Sequence, residues 1–218
     1  MIFVLINREY IEKYIQSLII EEDRDMDAFR RECEQNAIPI IHKEVAQLIR
    51  LLIRLTGSTR VLEIGTAVGF SSIFISKTID NENGYITTID RNKKFIALAK
   101  ENLNKYSHKT PITIKEGDAT EILLGLTKEY DIIFMDAAKS KYMEFHEIAL
   151  KLLRPGGLII SDNVLYKGMI ATDTLVVRRQ RTIVRKMRQY LEFLHTDPSL
   201  ETSVLPIGDG LAISLKKY

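Results

Sequence analysis

Two acidic residues stand directly after apolar runs, in Tyr130-Asp131-Ile132-Ile133-Phe134-Met135-Asp136 and in Gly157-Leu158-Ile159-Ile160-Ser161-Asp162-Asn163. Each run reads as a buried strand ending on a carboxylate, and open α/β sheets take their ligands at the carboxyl ends of strands. Asp136, Asp162 and Asn163 offer only oxygen donors, a set that suits one hard divalent cation such as Mg²⁺. On residue type alone the two acids could instead be strand-end caps or surface groups. Upstream, Val61-Leu62-Glu63-Ile64-Gly65-Thr66-Ala67-Val68-Gly69 places two glycines between a strand and a helix. Glycine there lets the backbone turn sharply and approach a ligand. The spacing departs from the dinucleotide fingerprint, whose third glycine is missing. Asp90 ends the next strand, where a ribose-binding acid belongs. It could instead cap a helix, a task that Asn92 performs better. Asp118, after the third strand, could accept from an adenine amine or cap the helix that follows. Together these groups describe an enzyme with an adenosyl cofactor and a metal.

The elements that must position these groups follow from periodicity. Tyr10, Ile11, Tyr14, Ile15 and Leu18 recur at helical spacing, and so do Val45, Leu48, Ile49, Leu52 and Ile53. Ile38-Pro39-Ile40 interrupts the helices, because proline disfavours helix at the residue before it. After Gly57 the chain alternates. Strands are expected at 60–64, 85–89, 112–115, 131–135 and 158–161. Helices are expected at 70–78, 92–103, 119–126 and 143–153. A long helix over about 172–194 and two final strands, 202–206 and 211–215, complete the reading. Gly208-Asp209-Gly210 is a hairpin signal. Alternating strands and helices argue for a parallel sheet covered on both faces, and the closing hairpin for an antiparallel strand at one end of the sheet.

Composition sets outer bounds. The 218 residues suffice for one domain with a sizeable core. The net charge of +2 (31 basic against 29 acidic residues) selects no partner, so any basic surface is local. The single cysteine, Cys33, excludes an intrachain disulfide and fits a reducing cytoplasm. It reads as a helix residue without chemistry. No apolar run is long enough to span a membrane. The apolar start, Met1 to Ile6, reads as a docking segment or a first helical turn rather than a signal. With no repeat or linker, residues 1–218 read as one domain and residues 1–56 as its helical N-terminal extension. His42, His108, His146 and His195 show no ligand spacing.

Three motifs in order carry a resemblance: Glu63-Ile64-Gly65-Thr66-Ala67-Val68-Gly69-Phe70-Ser71, Asp136-Ala137-Ala138-Lys139-Ser140-Lys141-Tyr142 and Asp162-Asn163-Val164-Leu165. They resemble the metal-dependent class I O-methyltransferases, the family of the catechol and caffeoyl-CoA enzymes, and the likeness runs over nearly the whole chain. The resemblance implies S-adenosyl-L-methionine (SAM) and a homodimer. It also implies a Rossmann-like, mostly parallel seven-stranded sheet of order 3-2-1-4-5-7-6 with one antiparallel strand. Carried over by position, Glu63 and Gly65 line the amino-acid end of SAM and Ser71 supports it. Asp90 holds the ribose, and Asp118 with Ala119 meets the adenine. Asp136, Asp162 and Asn163 match the family's metal ligands, with Asp136 also beside the cofactor, and Lys139 matches its general base. The two alanines between Asp136 and Lys139 differ from other branches, which bears on the substrate wall rather than on the chemistry.

A bacterial subgroup is more similar still, through Ile38-Pro39-Ile40, Asp162 to Gly168 and Pro206 to Ser214. It resembles the tRNA 5-hydroxyuridine methyltransferases, which implies 5-methoxyuridine as product and the tRNA anticodon loop as partner. From Arg178 to Arg188 the sequence carries six basic residues and no acid. On a continuous helix Arg178, Arg181, Arg185 and Arg188 share one face, able to track phosphates. Tyr166 and Lys167 stand ready for a base. The same face could be merely solvated, or could meet a second subunit.

Overall fold

A computed structural model describes residues 6–21 and 23–218. The apolar start therefore lies outside the described residues, apart from Ile6. Two compact units emerge: residues 10–118, and residues 119–218 together with the stretch up to Glu9. The strands, β1 (Arg60–Ile64), β2 (Tyr85–Asp90), β3 (Ile112–Glu116), β4 (Tyr130–Met135), β5 (Leu153–Ser161), β6 (Leu200–Leu205) and β7 (Leu211–Lys216), form a seven-stranded sheet of order β3-β2-β1-β4-β5-β7-β6, as expected.

The first unit opens with helices α1 (Glu9–Leu18), α2 (Arg24–Gln35) and α3 (Lys43–Thr56). Asp23 starts α2, its carboxylate accepting from the N–H groups of Asp25 and Met26. Gly57 stops α3 in the left-handed region. Between them, the break at Pro39 is held by Arg30. Its buried guanidinium donates to the Ile41 carbonyl at 2.9 Å and lies over the Phe70 ring. Cys33 is buried in α2, and burial pushes its thiol up to about 11, so it is inert at neutral pH. The unit continues through β1 (Arg60–Ile64), α4 (Phe70–Ile79), β2 (Tyr85–Asp90), α5 (Lys93–Lys105) and β3 (Ile112–Glu116), with β1–β2 and β2–β3 parallel.

The second unit contains α6 (Ala119–Leu124), β4 (Tyr130–Met135), α7 (Tyr142–Leu152), β5 (Leu153–Ser161), α8 (Arg181–Thr196), β6 (Leu200–Leu205) and β7 (Leu211–Lys216). Every residue of β4 is buried, as in a strand covered on both faces. β5 runs parallel to β4, and the last paired step is Met135 with Ser161. β7 is antiparallel to both β5 and β6, so the hairpin inserts its second strand rather than leaving it at the edge.

Two expectations are corrected. β5 begins five residues earlier than its apolar run, because the register slips after Tyr130–Leu153 and absorbs residues 154–157. Arg154 Nε fixes the slip by donating to Asp131 at 2.7 Å. The long helix over 172–194 is broken. Asp173–Leu175 and Arg178–Gln180 are separate 3₁₀ turns, with Val176 and Val177 extended, and α8 starts only at Arg181. Thr172 accepts from the N–H of Thr174 and closes the first turn locally, in competition with a helix.

Candidate functional site

The chemistry-bearing residues form two clusters, one in each unit. In the first, β1 delivers the chain into the turn Gly65–Gly69. Gly65 and Gly69 have φ of 112° and 83°. A Cβ at Gly69 would also press on Ala99 of α5 at 3.4 Å. Ala67, though not glycine, is held at φ 44°, a strained value for an L-residue. Asp90 explains how. One carboxylate oxygen accepts from the Ala67 N–H at 2.9 Å and the other from the Asn92 N–H at 2.8 Å. Asn92 itself caps α5, accepting from the N–H groups of Lys94 and Phe95. Asn102 donates to the Val68 carbonyl from α5.

Glu63 is fully buried beneath the turn and accepts from Ser72 and from Thr88 (2.6 Å). Thr88 is in turn bonded to Thr66. Glu63 therefore braces the turn from below. Ser71 lies buried in the first turn of α4, whose N-cap Gly69 brings no side-chain cap. Asp118 stands half-buried just after β3, and Ala119 is the first residue of α6.

These features suit SAM. An uncapped helix start favours an anionic group such as its amino-acid carboxylate. Asp90 also keeps acceptor capacity for a diol, since each carboxylate oxygen has more than one acceptor site.

In the second unit the pairing of Met135 with Ser161 sets Asp136 and Asp162 side by side as the next residues of β4 and β5. Asn163 touches both. Its side-chain N–H donates to Asp136 at 2.9 Å and its backbone N–H to Asp162 at 2.7 Å. Asp162 is 3% exposed. Burial, and then the Asp136 charge, push its carboxyl well above the usual carboxylate range, against the pull of the Asn163 N–H and the Lys139 charge. Two acids that oppose each other's ionisation, joined by an amide and offering oxygen donors alone, suit a divalent cation. No group of three or more His, Cys, Asp or Glu able to hold a metal occurs among the described residues; the donors at these strand tips are two carboxylates and one amide.

Lys139 is half-buried on a 3₁₀ turn, Lys139–Lys141, directly before α7. Past Asn163 the chain enters a strained loop, with Asn163, Tyr166 and Lys167 at φ of 60°, 43° and 57°. The β6–β7 turn holds it. Val164 and Leu165 donate to the carbonyls of Gly210 and Asp209, and the Lys167 N–H donates to the Asp209 carboxylate. Gly210 is required there, since a Cβ would stand 2.4 Å from Leu165 Cγ and 2.7 Å from its backbone nitrogen.

Two residues of this cluster escaped the sequence reading of roles. Asp209 was visible only as a turn residue. Tyr142 was visible only as the end of the Asp136–Tyr142 motif. Tyr142 is 1% exposed, and its hydroxyl donates toward the carbonyls of both Met135 (3.1 Å) and Asp162 (2.9 Å). Burial, and then the charges of Asp136 and Asp162, raise its pKa, so the hydroxyl stays protonated as a donor.

The basic stripe is divided. Arg181, Arg185 and Arg188 border one groove on α8, together with Asp173 and Glu192. Arg178, on its own 3₁₀ turn, is not part of that helix. Arg188 anchors the preceding loop, donating to the carbonyls of Ile170 (2.9 Å) and Met169 (3.3 Å) and pairing with Asp173 at 2.8 Å. Arg178, Arg179, Arg181, Arg185 and Lys167 are exposed.

Comparison with known proteins agrees with this architecture. A family model described as O-methyltransferase matches residues 16–217. A catechol O-methyltransferase of Niastella koreensis is 29% identical over 96% of this chain and 97% of its own length. Caffeoyl-CoA O-methyltransferase 2 of Zea mays is 32% identical over 77% of this chain and 66% of its own. Among solved structures, a Staphylococcus aureus protein provisionally assigned as a caffeoyl-CoA O-methyltransferase superposes with a TM-score of 0.88. It is 38% identical, over 95% of this chain and 100% of that one. An O-methyltransferase of Streptomyces achromogenes, solved with SAM, gives 0.82 at 26% identity over 96% of each chain. With the glycine turn and the paired strand-end acids in place, the chain belongs to the SAM-dependent O-methyltransferase family of the catechol and caffeoyl-CoA type.

Proposed function

We propose that this enzyme methylates an oxygen that has a second oxygen beside it, on a small aromatic acceptor of the catechol or caffeoyl-CoA kind, with help from a divalent cation. The observation that carries this reading is the juxtaposition of Asp136 and Asp162, linked through Asn163. When bound, SAM supplies a methyl group on a positively charged sulfur, and the cation supplies charge that favours an ionised acceptor oxygen. Asp136, Asp162 and Asn163 would hold the cation. The Gly65–Gly69 turn and Ser71 would orient the amino-acid end of SAM, Asp90 its ribose, and Asp118 and Ala119 its adenine. Lys139 would take the proton that the acceptor hydroxyl gives up as its oxygen gains the methyl.

A second reading is favoured by the exposed Arg178, Arg179, Arg181 and Arg185 and by Lys167 beside the strained loop. These would suit the anticodon loop of a tRNA, whose 5-hydroxyuridine also presents two neighbouring oxygens, the 5-hydroxyl and the 4-carbonyl. One assay separates the two. Purified protein and SAM are incubated with a catechol, with caffeoyl-CoA and with tRNA carrying 5-hydroxyuridine, and the products are read by mass spectrometry with and without EDTA. Methylated catechol or caffeoyl-CoA, lost on chelation, supports the first reading; 5-methoxyuridine alone replaces it with the second. Activity unchanged by EDTA removes the cation from both.

A homodimer fits the exposed Tyr10, Tyr14, Leu18 and Ile20, and light scattering on the eluting protein would test it. No helix among the described residues is long and apolar enough to cross a membrane. A reducing cytoplasm is the compartment proposed.

A further inference from the structure

We propose that Tyr142 is a positioning residue that sets the separation of the two cation-binding acids by tying the tips of β4 and β5 together through one buried hydroxyl. The inference rests on the reading of Asp136, Asp162 and Asn163 as a cation site.

Strand pairing ends at Met135 and Ser161, and both acids lie one residue beyond it. Past that step the Asp162 N–H still reaches the Met135 carbonyl, at 2.9 Å. The Tyr142 hydroxyl is the second tie. It lies 3.1 Å from that same carbonyl and 2.9 Å from the carbonyl of Asp162. A phenol has one proton, so the two acceptors share it. The hydroxyl is thus sensitive to the position of both strands at once, unlike an ordinary one-to-one hydrogen bond.

The tie acts one residue past the regular pairing, where the only other backbone link between the two tips among the described residues is the Asp162 N–H on the Met135 carbonyl. Tyr142 is also the first residue of α7, directly after the turn that carries Lys139. Its ring is packed edge-on against Tyr190, with centroids 5.6 Å apart. One buried side chain therefore links the β4 tip, the β5 tip and the end of the lysine-bearing turn. Groups of this kind, which touch the ligands' backbone rather than the ion, tune affinity by fixing ligand geometry.

The test uses Mn²⁺ alone as the probe, with Kd read by electron paramagnetic resonance, and SAM affinity read separately by calorimetry. Tyr142→Phe keeps the ring and removes only the hydroxyl. Its Mn²⁺ affinity should fall by about tenfold or more, while SAM affinity stays within about twofold. Tyr190→Phe is the control. Its hydroxyl bonds Ser161 at 2.8 Å and His146 at 3.2 Å in the same buried region, but neither strand-tip carbonyl. It should lose thermal stability and bind Mn²⁺ as the parent does. Replacing Tyr142 by p-aminophenylalanine restores a donor at the same place and should restore affinity. This variant keeps the question open to measurement even if the phenylalanine variant does not fold. Parent-like Mn²⁺ binding by Tyr142→Phe overturns the proposal. So does an equal loss in Tyr190→Phe, or failure of the amino group to restore binding. A parent protein that binds no Mn²⁺ overturns the cation reading itself, and the role of Tyr142 with it.

Discussion

At the Gly65–Gly69 turn, acids are met by donors: Glu63 by Ser72 and Thr88, Asp90 by the N–H groups of Ala67 and Asn92. At the tips of β4 and β5 the reverse holds. Asp162 is buried beside a second acid, and its ionisation is disfavoured by both burial and charge. The first cluster is hydrogen-bonded as it stands. In the second, ionising Asp162 carries a cost that a proton or a counter-charge relieves. The proposed function would account for the contrast: binding a cofactor needs shape that is ready in advance, whereas activating a hydroxyl needs concentrated charge.

The largest effect that would break this comparison belongs to Asp162. Asp162→Asn keeps the shape and removes the charge. If the proposed cation is held here, methyl transfer should fall by about a thousandfold or more, since a bound cation supplies several kcal/mol of transition-state stabilisation. SAM affinity should hold within about twofold. The thermal midpoint of the metal-free protein should stay level or rise, because the amide is neutral at every pH and leaves no second acid to oppose Asp136. A variant that is both less stable and still active would show that the acid pair is structural.

Acid should expose the second unit next. His146 is fully buried, with Nδ1 on the Tyr190 hydroxyl and no partner at Nε2 among the described residues. Burial lowers its pKa from 6.5 to about 4, against a small opposing pull from Asp197. The unfolded chain takes up this proton near pH 6.5 and the folded chain only near pH 4. More protons are bound by the unfolded state within that window, so stability is complete above it and falls as the pH drops through it. The full loss is about 3 kcal/mol. Denaturant midpoints measured from pH 7 to 4 should show the decline, and His146→Phe should flatten it. An identical slope in the variant would move the acid sensitivity elsewhere.

The cofactor side answers to a smaller change. Asp90→Ala strands the N–H of strained Ala67 and should weaken SAM binding by about 10- to 100-fold, the worth of one or two charge-assisted hydrogen bonds. Asp90→Asn keeps one oxygen acceptor and should recover part of the loss. Calorimetric titration with SAM distinguishes the two. Equal affinity in all three proteins would mean that the turn holds its shape without Asp90.

Sequence legibility divides along the same line. Strand ends were readable because apolar runs stop abruptly at Asp90, Asp136 and Asp162, and the glycine turn because Gly65 and Gly69 have few other uses. The sheet order came through the family resemblance, and the structure agrees with it. What sequence spacing could not convey were contacts made across it. Asp90 bonds a residue 23 positions back, Tyr142 one 20 positions ahead, and Asp209 one 42 positions away. Periodicity also overran at Thr172. Threonine and two valines after it look helical by their neighbours, yet a local side-chain bond closes a short turn first.

That overrun matters most for the arginines, where the smallest effects are expected. An unbroken helix would make Arg178, Arg181, Arg185 and Arg188 equivalent; the structure makes them different. Arg188 spends its donors on two loop carbonyls and Asp173, so Arg188→Ala should cost about 1–2 kcal/mol of stability through the loop that follows Asn163 to Gly168. Arg185 is exposed on the preceding turn of α8, so Arg185→Ala should leave stability within about 0.5 kcal/mol. Arg181→Glu, also exposed, should leave methylation of a small catechol unaltered. If the acceptor is a tRNA, the same change should weaken its binding and lessen the salt dependence, because a phosphate contact is lost. Filter binding of tRNA at two salt concentrations, set beside chemical denaturation, assigns each arginine to the loop or to an acceptor. Equal stability losses at 185 and 188 would restore the uniform stripe.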